Sequence, residues 1–240
     1  MSHLTLVRHG QASFLADDYD QLSERGLVQS ERLGKYWSSI LNGPFDLVVY
    51  GPAKRHLQTG EVVADAFRKE GLSWPEPVEI PEFDEFQAFE LMRAALPGLL
   101  ERDPAVRELE MNFRTHTDAR EKARAFEKLF QRVTRLWVAG ELKTEGVEPW
   151  EEFCARVVRG LEQVRKIAGK KANVVVFTSG GPISAAAGTA LGLTPVKTLE
   201  LSWVSRNSSY SEFLFSDGRF SLSSFNVHPH ITEAHLLTYR

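Results

Sequence analysis

The sequence predicts a three-layer α/β/α fold, in which helices cover both faces of a mostly parallel central sheet with an antiparallel edge. Short apolar runs alternate with amphipathic helical patterns along residues 4–71, and this order is typical of parallel strands joined by helices. Residues 173–179 form a longer apolar run, typical of a central strand buried on both faces. Two strand patterns at residues 209–215 and 219–225 flank a Ser-Asp-Gly turn, which indicates the antiparallel edge.

The first strand ends abruptly in polar residues. Its apolar run at residues 4–7 stops at Arg8, His9 and Gly10, and a polar loop follows at residues 11–21. Open α/β sheets hold their ligands at the carboxyl ends of the strands. The end of this strand is therefore a candidate site.

The first helix is predicted from a cap and an apolar face. Ser23 is placed to cap its start, and the Asn-Gly-Pro sequence at residues 42–44 ends it. The positions predicted to face the core recur at about 3.6-residue spacing. They are Leu27, Leu33, Trp37, Ile40 and Leu41.

The second strand, predicted at residues 45–50, also leads into cations. Lys54, Arg55 and His56 follow it at the entry to a second helix that runs to about Gly71. Two strands thus deliver positive charge to the same edge of the sheet.

After a third, short strand predicted at residues 78–80, the chain changes character. Helical patterns dominate from about 82 to 149, and Asp118 with Glu121 has the spacing of a capping box. We therefore expect one domain over residues 1–240, with a helical insertion at about 82–149 that lies over the sheet.

The last third of the chain returns to alternating elements. Pro149 suits the first turn of a helix that Gly169 ends. The strand at residues 173–179 then breaks at a Gly-Gly-Pro turn at residues 180–182 and enters a helix of small residues. Residues 197–204 are predicted as a further strand of the antiparallel edge.

Composition argues against several kinds of partner. The 240 residues carry a net charge of −3, so neither nucleic acid nor an anionic membrane is an expected partner, and an anion site needs a local cluster of cations. Cys154 is the single cysteine, which excludes an internal disulfide framework and a cysteine-rich zinc site. Without a recognisable signal segment or a bilayer-length apolar run, a soluble cytoplasmic protein is expected. The pattern leaves the oligomeric state open.

The predicted strand ends bring together the parts of a phosphate site. Arg8 and Arg55 can hold phosphate oxygens in fork geometry, and the helix that begins at Gly180 offers backbone N–H groups and a positive dipole. His9 stands beside them, and residues 82–85 add carboxylates. This combination favours phosphoryl transfer with a histidine nucleophile.

At this point the sequence resembles the histidine phosphatase superfamily, the phosphoglycerate mutase-like proteins. The resemblance lies in six motifs in order: LVRHG, LSERGLVQSERLG, GPAKRHLQT, PEFDEF, VVVFTSGGPISA, and SRNSSYSEFLF with FNVHPH. It covers nearly the whole chain outside the helical insertion. It implies a three-layer α/β fold, an active site at the strand ends, and no metal or organic cofactor.

The resemblance also implies roles for individual residues. His9 would attack the phosphoryl group, with its other ring nitrogen fixed by a backbone carbonyl, while Arg8 and Arg55 would bind the phosphate and disfavour protonation of His9. Glu85 would donate a proton to the leaving oxygen and then activate water. Glu82 and Asp84 stay open as alternatives to Glu85.

Further residues are expected to line the phosphate site. Gly10, Gln11 and Ser13 would do so just after the first strand, and Ser179 and Gly180 at the end of the central strand. The histidines at positions 228 and 230 are expected to have no such role.

Ser179 is a departure from the family pattern, which usually has a second histidine at that place. Serine donates a hydrogen bond without charge, which corresponds to a rate loss on the order of 10- to 100-fold. His56 is not expected to compensate, because neighbouring side chains on a helix point in different directions. Replacing Ser179 with histidine is expected to raise the rate.

The leading hypothesis is a phosphomonoesterase that works through phospho-His9 on a small phosphorylated substrate or phosphate ion. A mutase is a weaker alternative. Ser179 keeps open a catalytically weak or inactive member that binds phosphorylated ligands in regulation. A nucleotide-binding turn at Gly180 and Gly181 is a third possibility, although the G-x-G-x-x-G spacing is missing.

Overall fold

The computed structural model describes residues 1–13, 20–40, 45–142 and 144–239. In chain order they form β1 (Ser2–Arg8), α1 (Glu24–Ile40), β2 (Leu47–Tyr50), α2 (Lys54–Lys69), β3 (Val78–Glu79), α3 (Ala88–Arg102), α4 (Pro104–Thr115), α5 (Ala119–Val138), α6 (Trp150–Ala168), β4 (Asn173–Thr178), α7 (Gly180–Leu191), α8 (Pro195–Val204), β5 (Tyr210–Ser216) and β6 (Arg219–Val227). Most of the predicted first loop and the predicted helix stop at 42–44 lie outside the described residues.

The strands form a single sheet in the order β3-β2-β4-β1-β5-β6. The first four of these are parallel, whereas β5 pairs with β1 and with β6 in antiparallel fashion. The predicted mostly parallel sheet with an antiparallel edge is therefore confirmed. The strand at Asn173–Thr178 lies between β2 and β1, as its apolar run predicted.

Helices cover both faces of this sheet and give the predicted three-layer fold. On one face α1 packs against α2, and on the other α7 contacts β1, β6 and α8. A fully buried apolar side chain contributes about 1.5–3 kcal/mol relative to an exposed one. The core on the α1 and α2 side consists of Val7, Leu33, Trp37, Phe45, Val48, Tyr50, Val63, Phe67, Val175, Phe177 and Tyr210.

The first helix buries only part of the predicted face: Leu33 and Trp37 are buried as expected, and Leu41 lies outside the described residues. Ser23 caps it as expected, since its Oγ accepts a hydrogen bond from the Gly26 N–H at 3.1 Å. Leu27 and Ile40, however, are 44% and 49% exposed, so their assignment to the core was wrong. Small residues take that place because α1 approaches α2 closely: a Cβ added to Gly34 would lie 2.7 Å from another Cβ on α2.

Residues 197–204, predicted as a strand, belong to helix α8 instead. Thr194 provides the helix with a cap, because its side chain accepts a hydrogen bond from the Lys197 N–H. Pro195 occupies the first helical turn, where its fixed φ favours the helix. These local signals outweigh the strand-like composition of the segment.

Residues Phe86–Phe153 form a compact unit distinct from Met1–Glu85 and Cys154–Arg240. In the described part of Phe86–Phe153, all regular structure is helical. Asp118 caps α5 as predicted and accepts from the N–H groups of Arg120 and Glu121. None of the helices in the described part of the chain has the length and apolar character needed to cross a membrane.

Candidate active site

The carboxyl ends of β2, β4 and β1 lie side by side at one edge of the sheet. Arg8 is in register with Thr178, and Tyr50 with Phe177. The His9 N–H donates to the Thr178 carbonyl at 2.9 Å, which ties the first residue after β1 to the end of β4. This register brings together the chain segments that carry the predicted site residues.

The imidazole of His9 is buried, with 7% of the residue exposed, and held on one side. Its Nδ1 lies 2.6 Å from the carbonyl oxygen of Gly10. Because a carbonyl only accepts, Nδ1 carries the proton, and in the neutral ring Nε2 keeps its lone pair. The His9 carbonyl is held as well, by the Ser208 N–H at 3.1 Å and the Asn207 side chain at 3.3 Å.

The surroundings of His9 keep its ring neutral. Burial is the main cause that holds the pKa of His9 well below its usual value, and the cations Arg55 and Arg8 lower it further. His56 also lowers this pKa, while the hydrogen bond to Gly10 opposes the shift. Near neutral pH the ring is therefore neutral, with its proton on Nδ1 and a free lone pair on Nε2.

Glycine is required at position 10 by a close approach of two chain segments. A Cβ added to Gly10 would lie 2.5 Å from the carbonyl oxygen of Gly26 on α1. The Gly10 N–H donates to the Thr59 hydroxyl on α2 at 3.1 Å. Both helices of one layer therefore fix the carbonyl that orients His9.

Gln11 and Ser13 lie in a segment that is bonded to the start of α1. The Gln11 N–H donates to the Gln29 carboxamide at 2.8 Å, and its own carboxamide oxygen accepts from the Ser23 hydroxyl at 3.3 Å. The Ser13 N–H donates to the Gln21 carbonyl at 2.8 Å. These contacts hold the backbone, and a phosphate-binding role for either residue stays a prediction.

The two predicted cations converge on the start of α7. The Nη2 of Arg55 lies 3.4 Å from the Ser179 hydroxyl, and its Nη1 forms an ion pair with Asp20 at 2.5 Å. Arg8 donates to the Ser205 carbonyl, and its guanidinium carbon lies 3.8 Å from where a Cβ on Gly180 would be. Apart from its place in a polar loop, no sequence feature pointed to Asp20 as the anchor of Arg55.

The acidic segment after β3 is tied to the same region. The Thr178 hydroxyl donates to the Phe83 carbonyl at 2.6 Å, and the Glu85 carboxylate accepts from the Gly181 N–H at 3.1 Å. Glu82 instead accepts from the Gln163 side chain, and Asp84 from the Glu85 N–H. The structure thus places the Glu85 carboxylate at the start of α7 and turns the other two acids to other partners.

A second histidine lies in the site, and the expectation that His56 points elsewhere was wrong. Its Nε2 is 2.7 Å from the Ser179 hydroxyl, and its ring centroid is 5.8 Å from that of His9. Burial, and after it the charge of Arg55, hold the pKa of His56 well below its usual value. Although Arg55 and His56 are neighbours, both reach Ser179 because it lies across the first turn of α2.

His230 contacts the site indirectly, through Ser208. Its Nε2 lies 3.1 Å from the Ser208 hydroxyl, and the backbone of Ser208 contacts His9. Burial lowers the pKa of His230 to about 4. No cluster of three or more histidine, cysteine or acidic side chains suited to a metal ion occurs among the residues that the structure describes.

Comparison with known proteins identifies the family of the chain. The model of the histidine phosphatase superfamily (branch 1) matches residues 85–228, more than half of the chain. No curated protein sequence matches the chain.

Among solved structures, the fold is similar to phosphoglycerate mutase from Bacillus anthracis str. Sterne, with 16% identity, a TM-score of 0.61, and coverage of 95% of this chain and 94% of that one. The phosphoserine phosphatase from Entamoeba histolytica in complex with phosphoserine has 16% identity, a TM-score of 0.63, and coverage of 96% and 100%. The α-ribazole phosphatase from Shigella flexneri has 17% identity, a TM-score of 0.61, and coverage of 96% and 99%. At these identities the likeness establishes the fold.

Proposed function

The chain belongs to the histidine phosphatase superfamily (branch 1), and we propose that it hydrolyses phosphomonoesters through a phosphohistidine at His9. Phosphatases and a mutase are among the proteins that share its fold, so phosphoryl transfer is the chemistry to be expected. The observation that carries the proposal is the neutral, buried His9, whose Nδ1 is held by the Gly10 carbonyl. That contact leaves Nε2 as the attacking atom.

In the first step Nε2 of His9 attacks the phosphorus, a P–N bond forms, and the P–O bond to the leaving group breaks. Arg8 and Arg55 stabilise the charge on the phosphoryl oxygens, and the N–H groups at the start of α7 add a positive dipole. Glu85 gives a proton to the leaving oxygen. The alcohol or phenol then departs.

In the second step water attacks the phosphorus and the P–N bond breaks. The Glu85 carboxylate, now deprotonated, takes a proton from this water, which restores the starting state of the site. Phosphate leaves and neutral His9 is regenerated. The contact of Glu85 with Gly181 supports this assignment, because it places the carboxylate at the start of α7.

A small phosphorylated metabolite is the substrate class that we propose. Structural neighbours from Entamoeba histolytica were solved with phosphoserine and with 3-phosphoglyceric acid, both small monoesters. Two arginines at one strand edge suit such a dianion. A panel of small phosphorylated compounds therefore provides the test of specificity.

The test of the reaction is hydrolysis of an aryl phosphate in the presence of a metal chelator. We expect turnover by the wild-type protein and none above background by His9→Ala. The matched control is His235→Ala, which changes an exposed histidine and should leave turnover unchanged. Equal rates for the wild-type protein and His9→Ala would contradict the proposal.

A catalytically weak member that binds phosphorylated ligands is the second candidate, and Ser179 favours it. This neutral residue takes the place where a charged donor would strengthen the bond to the phosphoryl group. The binding reading predicts saturable binding of inorganic phosphate, measured by calorimetry, together with turnover no higher than that of His9→Ala. Turnover that depends on His9 would exclude an inactive binding protein.

A further inference from the structure

The proposed reaction leaves one buried pair beside His9 without a role. His56 and Ser179 are both fully buried, and His56 Nε2 lies 2.7 Å from Ser179 Oγ. Arg55, which the reaction uses, reaches the same hydroxyl at 3.4 Å. An imidazole taken out of water needs a hydrogen bond to offset its desolvation, so this contact is a specific one.

Ser179 does not use its hydroxyl in the way its position suggests. It is the N-cap residue of α7, where a serine side chain usually accepts a hydrogen bond from a backbone N–H of the first turn. Here its side chain makes no such bond, and the Gly181 N–H is bonded to Glu85 instead. The hydroxyl is therefore directed towards His56 and Arg55 rather than into the helix.

Counting donors and acceptors shows what this hydroxyl can still do. A serine oxygen accepts two hydrogen bonds and donates one. Among the described residues the buried Nδ1 of His56 has no hydrogen-bond partner, whereas its Nε2 faces the Ser179 oxygen. A buried N–H left without a partner is costly, so the neutral ring carries its proton on Nε2. Both lone pairs of Ser179 Oγ are then filled, one by His56 and one by Arg55. The remaining O–H is then the one group with which Ser179 can donate to a phosphoryl oxygen.

We propose that His56 and Ser179 act as one unit in the site: Ser179 donates to the transferred phosphoryl group, and His56 is the positioning residue that orients the serine hydroxyl. This inference rests on the proposed function and adds a residue to it. An imidazole thus serves the phosphoryl site from α2, although position 179 itself holds serine.

The packing changes the expected result of replacing Ser179 with histidine. Because Ser179 is fully buried and its Oγ is 2.7 Å from His56, a second imidazole has no space there. Ser179→His alone should therefore lower the rate. Combined with His56→Ala, which opens that space, it should recover part of the loss.

The test is a double-mutant cycle on the affinity for orthovanadate, a five-coordinate analogue of the phosphoryl transition state. We expect Ser179→Ala and His56→Ala each to weaken binding by about tenfold, the value of one hydrogen bond to a charged group. The double variant should bind no more weakly than either single variant. Independent losses would instead multiply to about 100-fold.

Two further variants separate positioning from packing. His56→Gln keeps an N–H donor with less change in volume, and it should retain more vanadate affinity than His56→Ala. Glu61→Gln, an exposed change on the same helix, is the control and should bind as the wild-type protein does. Thermal melting of each variant reports whether it folds.

Two results would overturn the role of His56. One is a double variant whose loss of vanadate affinity is the product of the two single losses. The other is wild-type vanadate affinity in both His56→Gln and His56→Ala when both variants are folded. Wild-type protein that binds vanadate but does not hydrolyse aryl phosphate would end the proposed function, while the cycle still measures the coupling. Wild-type protein that binds no vanadate would contradict both.

Discussion

His9 is oriented by the carbonyl of its own neighbour, Gly10, at 2.6 Å from Nδ1. The position of that carbonyl is fixed by the close approach of Gly10 to Gly26 and by the hydrogen bond from the Gly10 N–H to the Thr59 hydroxyl. The orientation of His9, the proposed nucleophile, therefore depends on the packing of the first strand end against α1 and α2. Disturbing this packing should affect stability and catalysis together.

Replacing Gly10 with alanine tests that dependence. The added Cβ would lie 2.5 Å from the Gly26 carbonyl oxygen, so the backbone must shift and the Gly10 carbonyl moves away from His9. We expect the free energy of unfolding to fall by about 1–3 kcal/mol, the usual range for overpacking. Aryl phosphate kcat/KM should fall by about tenfold or more, in line with one lost hydrogen bond to the nucleophile.

The matched control for this change is Gly98→Ala in α3. A Cβ at Gly98 meets no atom within 4 Å, and alanine favours a helix interior by about 0.5–1 kcal/mol over glycine. Chemical denaturation should therefore show a gain in stability with unchanged kinetics. If Gly10→Ala behaved like this control, the close approach would not constrain the site.

Glu85→Gln should separate the two steps of the reaction. Glutamine can still accept from the Gly181 N–H, but it can neither donate a proton as an acid nor take one from water. With an aryl phosphate, whose leaving group needs little protonation, we expect a burst of phenol and then turnover reduced by about 100- to 10,000-fold. Stopped-flow absorbance measures both phases.

Glu82→Gln is the control for Glu85, because its carboxylate is bonded to Gln163 and away from α7. It should keep wild-type turnover to within about twofold, since surface changes outside the site have small effects. A larger loss of turnover in Glu82→Gln than in Glu85→Gln would show that Glu85 is not the general acid.

Asp20→Ala should reduce catalysis by releasing Arg55. The ion pair at 2.5 Å fixes one end of the guanidinium, while the other end faces Ser179. Losing it should lower kcat/KM by about tenfold, equivalent to about 1.4 kcal/mol. Because the Asp20 carboxylate also accepts from the Lys54 N–H at the start of α2, the free energy of unfolding should fall by about 0.5–2 kcal/mol as well. Asp65→Ala, which removes an exposed ion pair on α2, should leave kcat/KM unchanged, and equal losses in both variants would refute the anchoring role.

Sequence patterns sufficed for those parts of the molecule that depend on local chemistry or on strand order. Apolar runs ending in Arg8 and Ser179 were placed correctly because parallel strands bring their carboxyl ends to one edge. Ser23 and Asp118 were identified as caps because capping depends on neighbouring residues. The family was predicted from the order of its sequence motifs, and the family model that matches residues 85–228 confirms it.

Packing between elements is what the patterns missed. Leu27 was expected in the core, but α1 meets α2 through Gly34, and no periodicity of apolar residues reports a close contact through glycine. His56 was not expected to compensate for the missing histidine, because neighbouring side chains on a helix point in different directions. Helix geometry gives the direction of a side chain but not which residue lies opposite it, here Ser179. The histidine at position 56 and the serine at position 179 indicate a shared site only when the two positions are considered together.

His230 gives the protein a dependence of stability on pH. Its pKa of about 4 in the folded state lies below the usual value of 6.5, so between these values the unfolded chain binds a proton that the folded chain does not. The free energy of unfolding therefore falls as the pH falls from about 6.5 to 4. The shift corresponds to about 3 kcal/mol at most.

Denaturant titrations of the wild-type protein and His230→Gln across this range measure the effect. His9 and His56 contribute with the same sign in both proteins, because burial lowers the pKa of each. The variant should thus lose less stability than the wild-type protein on acidification. Parallel curves would show that His230 is not a buried neutral group.

The most direct test of the account is to trap the covalent intermediate. Glu85→Gln mixed with a radiolabelled aryl phosphate and quenched in alkali should carry one label per chain, stable in base and labile in acid, on the peptide that contains His9. The same experiment with Glu85→Gln and His9→Ala combined should give no label. An acid-stable label, for example on Ser179, or turnover without any label on His9, would contradict the account.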